Sequence, residues 1–155
     1  MTTRIFKNLA NNRKIVNTIQ HLKDKLLESK KEVEIYIGCD SQNHGNDTVY
    51  VSVIVLHYEK QGGHVIYCKE TVPRIKDQFT RLWREVEISI EVAEYLKENG
   101  IKAPKHIDVD MNPDPQYRSN QSVYAAMGYI ESYGYSARCK PNALAASYAA
   151  DRMCK

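Results

Sequence analysis

Asp40 closes the apolar run VEIYIGCD, and Asp110 comes near the end of another, HIDVDM; a polar loop follows each. Were these runs neighbouring parallel strands, both carboxylates would project at one sheet edge. Carboxylates that close repel unless a cation lies between them or one takes a proton. Mg²⁺ and Mn²⁺ are hard ions that prefer oxygen ligands and keep several waters for a substrate phosphate. The competing account of Asp40 is structural, since strand-end aspartates often cap the following turn. Its prospective partner on the second strand tips the balance towards a metal site.

A third acid comes from helical phase. Between about Asp77 and Asn99 the chain reads as a long helix, closed by Gly100 as a C-cap. Along it Glu87, Glu91, Glu94 and Glu98 recur at steps of four, three and four, the pattern of a solvated acidic face. Glu85 is out of phase with that stripe. It aligns with Ser89, Val92 and Leu96, beside the core-facing row of Leu82, Val86, Ile90 and Ala93. A glutamate bordering a buried row needs a partner, whether an arginine, a backbone donor or a metal. Glu85 is therefore the helix's candidate ligand and Glu87 the second choice. Asp151 is the one acid of AASYAADRMCK, where Ala145, Ala146, Ala149 and Ala150 would let a last helix approach the sheet closely. An i, i+4 pair with Lys155 explains the same residue without a site, and spacing alone leaves both readings open.

The elements that must position these acids follow from periodicity and turn residues. Asn12 to Ser29 reads as an amphipathic helix, with Ile15, Ile19, Leu22 and Leu26 on one stripe. Val33 to Asp40 is a strand, SQNHGND a loop, and Thr48 to Tyr58 a β-branched, aromatic strand. Lys60 to Gly63 is a hairpin connection leading into HVIYCKETV. After the long helix come the strand His106–Met111, a helix from Ser119 to Tyr133, the short strand YSARC, and an Ala-rich helix opened by Pro141. The expectation is an α/β fold with a five-stranded mixed sheet. Three antiparallel strands come first, then two parallel ones joined by right-handed crossovers, in the order 3-2-1-4-5. Helices flank the sheet, residues 1–32 form an N-terminal helical extension, and 1–155 make one domain. The natural site lies beyond the carboxyl ends of the parallel strands.

Taken together, IGCDSQNHG, RLWREVEISIEVA, IDVDMN and KPNALAASYAADR resemble the ribonuclease H-like superfamily, and within it the YkuK-type branch, from Val33 to Lys155. The resemblance implies a metal-dependent nuclease site. It assigns Asp40 to the first-strand ligand position, Glu85 to the helix position, Asp110 to the fourth-strand position and Asp151 to the last helix. Asp108, two residues before Asp110 on the same strand face, is the alternative there. Two Mg²⁺ or Mn²⁺ ions roughly 4 Å apart would clamp a phosphodiester of RNA, an RNA/DNA hybrid or structured DNA. His44, in the loop after Asp40, and Lys140, at the mouth of the last helix, are candidate phosphate contacts, each with a plain surface reading beside it.

Composition sets bounds on partner and compartment. A net charge of +3 permits nucleic-acid binding without demanding it. Cys39, Cys68, Cys139 and Cys154 share no C-x-x-C spacing, which argues against structural zinc and for buried thiols. No apolar run is long enough to span a bilayer and the N-terminus carries no signal-like core, so the cytoplasm is the expected compartment. Trp83 and the eleven tyrosines could stack bases, but most of the tyrosines fall within strands and helices and are expected to pack in the core. The rival to a nuclease is a non-catalytic module that binds nucleic acid or protein on the same fold. A sugar-kinase-like phosphotransferase would need a duplicated domain and glycine-rich phosphate loops, which the sequence lacks.

Overall fold

Three twelve-residue strands, β2 (Val33–His44), β3 (Asp47–Tyr58) and β4 (Gly62–Pro73), form the antiparallel centre of the sheet. The structure is a computed structural model that describes residues 4–30, 32–59, 62–111, 114, 116, 120–139 and 153. The β2–β3 ladder runs unbroken from Val33↔Tyr58 to His44↔Asp47. It therefore passes through residues expected to be loop, and Asp40 is not the strand's end. The polar side chains are accommodated because Asn43 accepts from Thr48 Oγ1 and donates to the Ile75 carbonyl at 3.2 Å. Only Gly45 and Asn46 turn, with Gly45 at φ 56° in the first central position, where glycine is favoured.

Strand β5 (His106–Val109) lies parallel to β2, and β6 (Ala137–Cys139) parallel to β5. The full order is β1-β4-β3-β2-β5-β6, six strands. Five of them keep the expected order. The sixth, β1 (Lys7–Asn8), extends the sheet beside β4, from a segment expected to be purely helical. There the chain doubles back, with Asn8 N donating to Arg13 O and Ile15 N to Phe6 O, both at 2.9 Å. Helix α1 consequently starts late, spanning Thr18–Glu28, with Asn17 capping it through a 3.0 Å bond from Gln20 N.

Helix α2 spans Gln78–Glu98, capped by Asp77, which accepts from Thr80 N at 2.8 Å. It ends at Asn99, before Gly100 at φ 80°. Helix α3 covers Asn120–Ser132. The expected Ala-rich final helix lies outside the described residues, apart from Met153. Ile35, Ile37 and Cys39 of β2 pack with Val86, Ile90 and Ala93 of α2 and with Leu22 of α1. Each fully buried aliphatic side chain contributes about 1.5–3 kcal/mol. On the opposite face Val49, Val51, Val53 and Val55 pack with Tyr67, Tyr36, Leu9 and Met153. Cys39 and Cys68 are buried free thiols. Trp83 is partly buried against the core and stacks between Phe79 and Tyr129, with centroids at 5.9 and 5.2 Å.

Candidate functional site

Register brings two of the acids together. Gly38 of β2 pairs in parallel with Asp108 of β5. Continued by two residues, that register would set Asp40 beside Asp110, which directly follows β5. Asp40 is buried, and one oxygen of the half-buried Asp110, Oδ1, is shielded from solvent.

Glu85 comes to this edge from α2, whose start is clamped to the β2–β3 hairpin. Ile75 N donates to Thr48 Oγ1 at 2.8 Å, and Arg74 N to Asn46 O at 2.9 Å. The helical phase that separated Glu85 from the acidic stripe is reproduced, for it is only 3% exposed. Burial is the main force holding its carboxyl well above the ordinary value, followed by the negative charge of Asp40 and, more weakly, that of Asp110. Asp40, within β2, and Asp110, just after β5, thus both act on Glu85, and a positive charge is what such a group lacks.

Part of that charge is supplied by the chain. Alternation along β2 turns Ser41, not Asp40, towards α2. Its hydroxyl donates to Glu85 Oε2. Arg81, one turn earlier on α2, donates from Nη1 to Ser41 O at 3.0 Å and to Ser41 Oγ at 2.7 Å. The same nitrogen is 3.9 Å from Glu85 Oε2. Tyr50 completes the wall, its hydroxyl donating to Arg81 O at 3.2 Å. Burial, reinforced by Glu85, pushes that phenol up to about 12. Among the described residues, no three or more His, Cys, Asp or Glu side chains are already disposed to hold a metal ion together.

The family model described as Ribonuclease H-like matches residues 14–155, most of the chain. The chain belongs to the ribonuclease H-like family. Compared with curated proteins and with solved structures, it finds no match in either.

Not every sequence candidate reaches the site of this ribonuclease H-like sheet. Asp108, the alternative to Asp110, is taken up by Arg138, which grips it through Nε–Oδ1 at 3.0 Å and Nη2–Oδ2 at 3.2 Å. Glu87 lies 3.9 Å from Arg84, while Glu91 pairs with Arg4 at 2.8 Å and Glu94 accepts from Tyr135 at 2.7 Å. The acidic stripe is thus partly engaged rather than simply solvated. His44 is exposed at the tip of the hairpin, four strand residues or roughly 13 Å beyond Asp40. Lys140 and Asp151 lie outside the described residues. Sequence reading missed Ser41 and Arg81. Their signals were present, in a hydroxyl next to Asp40 and an arginine four residues before Glu85.

Proposed function

We infer that this ribonuclease H-like chain is a metal-dependent nuclease hydrolysing phosphodiester bonds of RNA, an RNA/DNA hybrid or structured DNA. The observation that carries the reading is the convergence of charge on Glu85, a buried carboxyl that feels both Asp40 and Asp110. The donor set fits a hard divalent cation chemically, because it offers carboxylate oxygens and no nitrogen or sulfur. Asp40, Glu85 and Asp110 would hold Mg²⁺ or Mn²⁺, with Asp151 a fourth ligand and two ions the expected complement. When bound, the metal supplies charge stabilisation for the phosphate and an activated water. The chain's own part is to hold the acids apart and in place. Ser41 keeps Glu85 oriented through its hydroxyl, and Arg81 holds Ser41 in turn.

Incubating wild type and Asp40→Asn with Mg²⁺ or Mn²⁺ and a panel of labelled RNA, DNA, hybrid and junction substrates tests this directly. Wild type should cut at least one of them, and the variant should be slower by roughly two orders of magnitude or more. Binding by both proteins with cutting by neither would sink the nuclease reading and leave a non-catalytic binding module.

A further inference from the structure

The N-terminal segment folds back so as to put like charges side by side. Asn12, at φ 58°, takes the left-handed backbone that asparagine tolerates better than most residues. Its side chain accepts a hydrogen bond from the Tyr67 hydroxyl. This turn sets Lys14 opposite Lys7 in an antiparallel bridge. The bonds flanking the bridge, Ile15 N to Phe6 O and Asn8 N to Arg13 O, make it the non-hydrogen-bonded kind of pair, in which side chains stand closest. Lys7 also pairs with Tyr67 of β4, and Lys69 lies two residues further along that strand, on the same face.

Lys7, Lys14 and Lys69 therefore line one cavity of about 760 Å³ together with Asn12, Tyr67 and the apolar Ile5, Leu9 and Met153. Among the described residues, none of the three lysines is in an ion pair. Like charges directly opposite each other weaken a strand pair, and an anion between them removes the conflict. The cavity shares a sheet face with Asp40. Asp40 and Lys69 both pair with Val51, from its two sides, so their backbones are roughly 10 Å apart.

We propose that this lysine cavity is a phosphate-backbone subsite that holds the nucleic-acid strand away from the carboxylates. The choice of ligand rests on the nuclease reading. The volume far exceeds a single phosphate, and lysines act as mobile point charges rather than as a fork fitted to one small anion. A backbone with sugars attached suits that space better than a free ion does.

The experiment uses Asp40→Asn protein in EDTA, so that nothing is cut, and a fluorescein-labelled single-stranded RNA or DNA followed by anisotropy between about 50 and 200 mM NaCl. The comparison is the same protein carrying Lys7→Gln, Lys14→Gln and Lys69→Gln. These are exposed positions, and matching circular dichroism and melting would show the fold intact. Affinity at the lowest salt should fall roughly tenfold, and the slope of log K against log salt should flatten by about 0.7 per lysine, roughly 2 in all. Unchanged affinity and slope overturn the proposal, as does failure of the parent protein to bind. Inorganic phosphate that raises the melting temperature through the lysines, while oligonucleotide binding ignores them, also overturns it. Lysine-dependent binding by a wild type that cuts nothing would refute the nuclease reading alone. Cutting with lysine-independent binding would refute this subsite alone.

Discussion

Replacing Glu85 by glutamine should stabilise the metal-free protein at neutral pH. The Glu85 carboxyl sits well above its ordinary value of 4.5, chiefly through burial and then through Asp40, against the opposing bond from Ser41. The folded chain thus holds a proton that the unfolded chain has lost, and stability must fall as pH rises from 4.5 towards the folded value. Glutamine has no charge to lose. It fills the same space, can accept from Ser41 through its carbonyl, and offers an amide N–H₂ to the acids that repelled the carboxylate. Leaving a buried polar group poorly compensated costs about 1–3 kcal/mol, so a gain of that order is expected at about pH 7.5 in EDTA. For a chain of this size the gain corresponds to a rise of roughly 2–12 °C in melting temperature. The difference should shrink as pH falls and vanish below 4.5, where the carboxyl is protonated in both states. Mg²⁺ at a thousand times its Kd should reverse the order, because it then adds about 4.1 kcal/mol to the protein that binds it. Thermal melts of both proteins across this pH range, with and without Mg²⁺, provide the assay. A variant that melts below wild type throughout in EDTA would refute the reasoning, because Glu85 would then be a satisfied structural acid.

Other perturbations probe the frame around the site. Arg138→Ala removes the guanidinium from Asp108, whose side chain is 0% exposed, and should destabilise by about 3–5 kcal/mol in urea unfolding. It should leave the Mg²⁺-induced rise in melting temperature intact. His21 and His64 face each other with Nε2 atoms 2.8 Å apart, a contact that accommodates one proton and not two. Burial, chiefly, lowers both imidazoles from 6.5; Lys25 adds to this and Glu28 opposes it at each, with His21 acting on His64 and Asp24 on His21. Stability should therefore be complete above pH 6.5 and fall as pH drops below it, a slope that His64→Gln should flatten in urea midpoints. Leu22→Ala, at a position with no exposed surface, should cost about 2–5 kcal/mol in the same measurement. That loss would mark α1 as part of the core rather than an appendage.

Strand order was legible because it rests on robust signals. Long β-branched runs joined by short turns must pair antiparallel, and strands separated by helices must cross over in parallel. The extent of β2 was not legible. Gln42, Asn43 and His44 look like loop residues, yet the partner strand Asp47–Tyr50 and the bonds to Asn43 keep them in the ladder. The edge strand β1 was hidden for a related reason. Two residues carry no periodicity, and only the turn at Asn12 and the buried Phe6 give the segment away.

At the site, phase could select Glu85 because burial is a property of the helix face, and the face follows from counting residues. What counting could not deliver was the neutralising partner. The alternatives open to a buried glutamate were an arginine, a backbone donor or a metal, and the fold supplies the Ser41 hydroxyl backed by Arg81. The arginine stands 3.9 Å from the carboxylate and makes its short bonds to Ser41 instead. An arginine committed to the acid would have formed a close bidentate pair, as Arg138 does with Asp108. One pair lies along helix α2 and the other across the β5–β6 ladder, and only the second is bidentate. Asp108 is neutralised by its arginine and serves the fold, whereas Glu85 keeps an unmet demand for positive charge that a cation can fill.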